Sequence, residues 1–254
     1  MNELMQKLYE AGWKFPEEII SNISEYDKNF ILMEFTGKRT YDYYIKRLDL
    51  LGFNGMNYVL DAACGMGQWS LALAKNNKFV EGIDINLNRI TMAQILSKEN
   101  NIVNCRFIND SIEKLPYDSE VFDGIFCYGS FMFVNMPKTL LEFNRVLKKN
   151  GKLYLNANSY GWYLHLLLDL GLKKGNLNLI NSAIKILLRT IIGRNNNIIV
   201  RKNWLKNIIE NAGFEINSID VEGMINNHGY FVESAYPSHF YGMKSILEVL
   251  AIKR

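Results

Sequence analysis

The stretch VLDAACGMGQWSLALA at 59–74 constrains this chain more than any other. Tyr58, Val59 and Leu60 read as a strand, Asp61 with the run to Gly67 as a tight turn, and Trp69, Leu71, Leu73 and Ala74 as the apolar stripe of a helix. A strand, turn and helix in this order begins a wound α/β sheet and not a bundle or sandwich. Glycine at 65 and 67 lets the backbone bend through conformations closed to other residues, and lets a ligand touch the main chain without meeting a Cβ. Many strand-to-helix turns need glycine for geometry alone, so the weight rests on what surrounds it.

Val80 to Ile83 read as a second strand ending at Asp84, 23 residues after Asp61 (84 − 61). A carboxylate at that tip of a nucleotide-binding unit accepts from both ribose hydroxyls, and its expected place is about 20 residues on. A third strand runs from Phe107 to Asp110, followed by Ser111 and Ile112, and a fourth from Phe122 to Tyr128. An acid at the third tip can accept from an adenine amino group. The competing reading is a dinucleotide-binding unit, since Gly65, Gly67 and Ser70 approximate its glycine motif. That motif needs no acid before its glycines, whereas here Asp61 precedes the turn and Asp110 ends strand three.

Together, DAACGMG at 61–67, GID at 82–84, NDSIEKLPYDSEVFDGIFC at 109–127 and LLEFNRVLKKNGKLYL at 140–155 resemble the class I S-adenosylmethionine-dependent methyltransferases. The resemblance runs from Val59 to Leu155 and returns in the last 50 residues. It implies a Rossmann-like, seven-stranded, mostly parallel α/β sheet with an antiparallel last strand between strands five and six, and helices on both faces. It also implies S-adenosyl-L-methionine as cofactor, held by Asp61, Ala63, Gly65, Gly67, Asp84, Ile85, Asp110, Ser111, Ile112 and Cys127. Ala63 stands where the family usually has its first glycine, so the turn is expected to persist with slightly less room. Family members that methylate exocyclic amino groups of bases carry an Asn/Asp-Pro-Pro-aromatic motif at the fourth tip. Here that tip reads Cys127, Tyr128, Gly129, Ser130, which argues against base N-methylation.

The 254 residues fit one domain with an elaboration: a helical cap at 1–55, a cofactor-binding core at 56–158, a helical insertion at 159–200 and the rest of the sheet at 201–254. In the cap, Leu4, Leu8 and Trp13 have helical spacing, Pro16 suits a helix start, and Tyr41–Leu51 is an amphipathic helix stopped by Gly52. Arg39 and Tyr43 are either a surface Arg and a packing Tyr or, as the resemblance implies for a segment that caps the cofactor, residues that reach its methionine carboxylate or the substrate. Trp69 reads as core. Residues 138–149 form a helix stopped at Asn150 and Gly151, and strand five follows from Lys152 to Asn156. The Leu- and Ile-rich insertion from Gly161 to Val200 reads as two apolar helices: a lid over the acceptor, an extra packing or dimerisation layer, or an interfacial membrane contact. Trp204–Ala212 is the last core helix, Glu215–Val221 strand six and Ser245–Lys253 the closing strand.

Lys and Arg number 29 against 26 Asp and Glu, a balance that calls for no polyanionic partner. The three cysteines form no CxxC pair, so neither a zinc site nor a disulfide framework is expected, and no metal. No apolar run approaches the roughly 18 residues that span a bilayer, and MNELMQKLYEAGW lacks a signal-peptide core. A cytoplasmic protein without stable membrane insertion is expected, its oligomeric state open. The reaction expected is methyl transfer to the oxygen of a polar small molecule such as a sugar, a nucleotide-linked metabolite or a hydroxy acid. His239 or His228 is the candidate general base, and Tyr128, Asn158, Tyr160 and Tyr230 line the acceptor pocket. Nucleic acid is not an expected partner. The alternatives are an RNA methyltransferase and a non-catalytic subunit that binds the same cofactor.

Overall fold

The computed structural model describes residues 3–191, 198–227, 230–231 and 233–254. Seven strands form one sheet: β1 (Tyr58–Ala62), β2 (Phe79–Asp84), β3 (Cys105–Asn109), β4 (Phe122–Cys127), β5 (Leu147–Asn158), β6 (Phe214–Val221) and β7 (Ile246–Lys253). Their order is β3-β2-β1-β4-β5-β7-β6. Parallel ladders join β1 to β2 and β2 to β3, while β7 runs antiparallel to both neighbours, with Leu250 opposite Tyr154 on one side and Ser218 on the other. The closing strand sits between strands five and six, as the resemblance implies. Two compact units divide the chain, Met1–Ile112 with Phe122–Gly124, and Glu113–Val121 with Ile125–Arg254.

In the first unit, helices α1 (Glu3–Glu10), α2 (Glu17–Asn22), α3 (Glu25–Phe35) and α4 (Tyr41–Leu51) precede β1, and α5 (Gln68–Asn76) and α6 (Leu87–Glu99) follow β1 and β2. Side-chain oxygens start two of them: Ser24 accepts from the Asp27 N–H and Thr40 from the Tyr43 N–H, each at 3.1 Å. Gly52 ends α4 at φ 73°, the left-handed stop that the sequence predicts. Trp13 does not continue α1. Gly12 (φ 85°) turns the chain, and the Trp13 indole packs edge-on against Phe35, Tyr41 and Tyr44 with centroids 4.8–5.8 Å apart. Trp69 is core, edge-on to Tyr44 at 4.4 Å. Among these rings lies a buried ion pair, Glu34 with Arg39, and the Tyr44 hydroxyl donates to the Glu34 carbonyl at 2.5 Å.

In the second unit, α7 spans Met136–Val146, α8 Tyr160–His165, α9 Leu177–Ile191 and α10 Lys202–Asn211, with a π-helical stretch at Leu166–Leu172 between α8 and α9. The helix expected at 138–149 therefore stops three residues early. Leu147 is already fully buried in β5, and the carbonyls of Arg145 and Val146 accept from the N–H groups of Glu120 and Val121 at 2.9 and 2.8 Å, which removes them from any helical ladder. Asn150 (φ 62°) and Gly151 instead make a turn within the β5 segment, where a Cβ on Gly151 would stand 2.7 Å from Leu147 Cγ and from the Lys148 carbonyl. The turn signal is real, but it belongs to the strand. Beyond β6, His239–Phe240 and Met243–Lys244 pair as a two-residue antiparallel ladder. α8 lies so close to this ladder that a Cβ on Gly161 would stand 2.2 Å from the Met243 carbonyl oxygen, so no side chain is tolerated there.

Candidate functional site

In the first unit the glycine turn and the tips of β2 and β3 come together. The β1/β2/β3 register sets Asp61 opposite Gly82 and Asp84 opposite Asn109. Gly82 matters for what it lacks: a Cβ there would stand 2.6 Å from the Phe107 ring and 3.0 Å from Cys64 Sγ. The Phe107 ring also closes under the turn, 3.1 Å from where a Gly67 Cβ would be. Three residues of the turn take left-handed backbone, Ala63 at φ 61°, Gly65 at 57° and Gly67 at 85°. The turn persists with alanine at 63, as expected, and in a conformation that an L-residue disfavours. That cost is about 1–2 kcal/mol, of which glycine would give back about 0.5–1 through its freer unfolded chain. Ala63→Gly is therefore expected to raise stability by about 0.5–1 kcal/mol, read from chemical denaturation at constant slope.

Asp84 is 8% exposed and holds the turn from β2: Oδ2 accepts the Gly65 N–H at 3.0 Å and Oδ1 the Asn86 N–H at 2.8 Å. Asp61 is buried beneath the turn, where its Oδ2 accepts the Ser70 hydroxyl at 2.5 Å and so ties β1 to the first turn of α5. Burial pushes the Asp61 carboxyl up to about 7, while the Ser70 hydrogen bond pulls the other way. At the third tip, Asp110 is exposed and its Oδ1 accepts the Ser111 N–H at 2.7 Å, and Ile112 is buried. Ile85, directly after Asp84, stands 76% exposed.

Beside Gly65 the wall is built by residues that sequence reasoning did not select. A Cβ on Gly65 would lie 3.9–4.0 Å from Arg89 Nη1, Gln68 Oε1 and Phe30 Cζ, ordinary contact distances around an open space. Arg89 stacks over the Phe30 ring at 4.6 Å. Gln68 is 6% exposed; its amide nitrogen reaches Glu34 Oε2 at 3.4 Å, while its Oε1 has no donor among the described residues. A buried carbonyl oxygen without a donor is costly unless a ligand supplies one. Arg39 is engaged with Glu34, and Tyr43 packs edge-on against Tyr44 at 5.6 Å.

A polar cluster gathers around a buried carboxylate in the second unit. Cys127 is fully buried at the end of β4, and the next residue, Tyr128, donates its hydroxyl to Glu222 Oε1 at 2.9 Å. Glu222 is 1% exposed; Ser234 Oγ donates to the same oxygen at 3.0 Å, and Asn156 Nδ2 reaches Oε2 at 3.4 Å. Asn156 Oδ1 in turn accepts the Gly129 N–H at 2.6 Å. Glu222 was not selectable from the sequence, because it follows β6 in an ordinary Val-Glu-Gly turn and only the fold brings it to Tyr128. Tyr160 accepts from Arg201 Nη2 at 3.2 Å, and the Asn158 carbonyl accepts the Val200 N–H at 2.9 Å. His239 is exposed on the short ladder, its Nδ1 3.1 Å from Ser238 Oγ. His228 lies outside the described residues, and of Tyr230 only the backbone is described.

The strand order, with its one antiparallel member between β5 and β6, is the fold of the class I methyltransferases. Residues 60–155 match the family described as "Methyltransferase domain". Among curated proteins, the chain is 32% identical over 98 residues to the uncharacterized methyltransferase YcgJ of Bacillus subtilis, covering 38% of this chain and 39% of that one. It is 31% identical over 102 residues to the demethylmenaquinone methyltransferase of Alkalihalophilus pseudofirmus, covering 38% and 42%. The chain thus spans about two fifths of the length of these relatives. Among solved structures, a geranyl diphosphate methyltransferase in complex with S-adenosylmethionine superposes with a TM-score of 0.61 at 13% identity, over 95% of this chain and 97% of the other, a likeness of fold. No helix among the described residues is long and apolar enough to cross a membrane.

Proposed function

We propose that the chain is an S-adenosylmethionine-dependent methyltransferase, organised as one methyltransferase domain, that methylates a hydroxyl group of a small molecule. The observation that carries this reading is the pair of hydrogen bonds by which Asp84 fixes the Gly65 turn while remaining a free acceptor for further donors. Each carboxylate oxygen has two acceptor sites, so a ribose diol can add its two donors there. Gln68 Oε1 supplies the acceptor that an α-ammonium group needs, and the residues present therefore fit the cofactor. Asp110, Ser111 and Ile85 would border its base, and Asp61, Ala63 and Gly67 would shape the turn.

Bound S-adenosylmethionine supplies a methyl group on a sulfonium, already a strong electrophile. The protein's remaining work is to orient the acceptor and take its proton. Glu222 suits the second task better than His239. It is a carboxylate held off water by Tyr128, Ser234 and Asn156, and Tyr128 is half-exposed at the tip of β4, where it can pass a proton inward. A cavity of about 580 Å³ in the second unit, with polar and apolar lining in similar measure from residues including Glu113, Met132, Phe133, Asn135, Met136 and Ile198, supports room for an acceptor's body.

The test begins with calorimetric titration by S-adenosylmethionine and S-adenosylhomocysteine, followed by a screen of hydroxylated acceptors for S-adenosylhomocysteine release. With a turned-over acceptor, Glu222→Gln is expected to lower kcat about 100-fold with cofactor affinity unchanged. An unchanged kcat would remove Glu222 from the proton path, and transfer to an RNA substrate alone would overturn the small-molecule reading.

A further inference from the structure

The net charge of +3 hides a strong asymmetry. Residues 170–209 contain eight Lys and Arg and no Asp or Glu, which leaves 21 basic against 26 acidic residues for everything else. This basic stretch holds α9. Leu177, Ile184 and Leu188, spaced by seven and four, share one face of α9 and are 71%, 39% and 55% exposed, and Leu172 just before the helix is 56% exposed. The helix packs along the side adjoining this stripe: Ala183 is buried, and the half-buried Ile180, three residues on from Leu177, reaches Gly171 of the π-helical stretch, 2.8 Å from where a Cβ would stand. Lys174, Lys185 and Arg189 are exposed beside the apolar stripe and make no ion pair among the described residues.

An outward apolar stripe flanked by unpaired cations is the pattern of a helix that lies in a membrane interface, its apolar face among acyl chains and its cations at anionic headgroups. We infer that α9 and the turn before it dock this protein on an anionic lipid surface, lying on the bilayer without spanning it. An RNA partner would use the same cations, but it gives no reason for three exposed aliphatic side chains in line, and recognition of RNA single strands leans on exposed aromatic rings, of which α9 has none. A second copy of the chain would meet this stripe with a like-charged one. The docking stands apart from the methyl-transfer reading, since it is read without cofactor or acceptor.

The experiment is co-sedimentation of the full chain with phosphatidylcholine vesicles containing phosphatidylglycerol, against pure phosphatidylcholine vesicles. Binding is expected only to the anionic vesicles. It is expected to weaken at least about tenfold in Leu177→Ser/Leu188→Ser and in Lys185→Glu/Arg189→Glu, and to stay unchanged in Val103→Ser, which alters an exposed apolar residue in the other unit. The circular dichroism and Tm of each variant are checked first, and Leu188→Gln alone replaces any double variant that fails to fold. Absence of sedimentation, loss with the charge variants but not the apolar ones, tighter retention on a single-stranded RNA than on the vesicles, or a Leu188-dependent dimer in sedimentation velocity without vesicle binding would each overturn the inference.

Discussion

Calorimetric titration of Asp84→Ala with S-adenosylmethionine is expected to show an affinity at least about a hundredfold below that of the unmodified protein, a loss of about 2.8 kcal/mol. Two charge-assisted hydrogen bonds to a ribose, at about 1.5–3 kcal/mol each, are enough to supply it. The same substitution releases the Gly65 N–H, so the turn itself loses an anchor. Asp84→Asn separates the two effects: it keeps one carbonyl acceptor and the side chain's shape, and an intermediate loss is expected. An affinity unchanged in Asp84→Ala would mean that the cofactor is held elsewhere, and the role of the β2 tip would fall.

The largest expected effect on stability is at Arg39. Its guanidinium, 3% exposed, pairs with Glu34, 7% exposed, among the rings of the N-terminal helices. Removing one partner of a buried pair leaves the other charge without compensation and costs about 3–5 kcal/mol. Arg39→Met is expected to lower Tm by about 6–20 °C, taking about 2–4 °C per kcal/mol for a chain of this size. The double variant Glu34→Gln/Arg39→Met removes both charges and is expected to recover at least half of the loss. A single-variant shift under about 2 °C would show that the pair is solvated in solution. The same pairing bears on Arg39 as a contact for the cofactor's carboxylate, since the guanidinium is already engaged.

The sheet was legible in the sequence because its signals are local. The apolar runs at Val59, Val80, Phe107 and Phe122 and the polar residues that end them need only adjacent residues to be read, and the strands lie where those runs are. The closing strand was legible from its own apolar run, but its antiparallel place between strands five and six only through the family resemblance. Asn150 and Gly151 misled for a physical reason: an Asn-Gly pair marks a left-handed turn equally well at a helix end and inside a strand, and the carbonyls of Arg145 and Val146 decided which. Glu222, Gln68 and Glu34 were not legible at all. Glu222 owes its character to Tyr128, 94 residues away, and Gln68 to Glu34, 34 residues before it; the Glu34–Arg39 pair is only five residues apart, but its burial comes from the rings packed around it, and no local pattern encodes burial of a charge. The basic stretch around α9 was visible as composition, yet only the exposure of Leu177, Ile184 and Leu188 gave it a direction.

The place of β7 has a consequence for how this protein must be made. β5 ends at Asn158 and its partner β7 begins at Ile246, 88 residues later (246 − 158). At synthesis rates of about 5–20 residues per second, the apolar edge of β5 therefore waits about 4–18 s on the ribosome before the strand that covers it exists. β6 emerges first and runs antiparallel to β7, so it has to leave a gap one strand wide and not seal that edge itself. Over those seconds Leu153, Leu155 and Ala157, all fully buried at the end, sit beside an unpaired row of backbone donors and acceptors. That edge stays open until the final eight residues of the sheet slide in and join β6 to the rest.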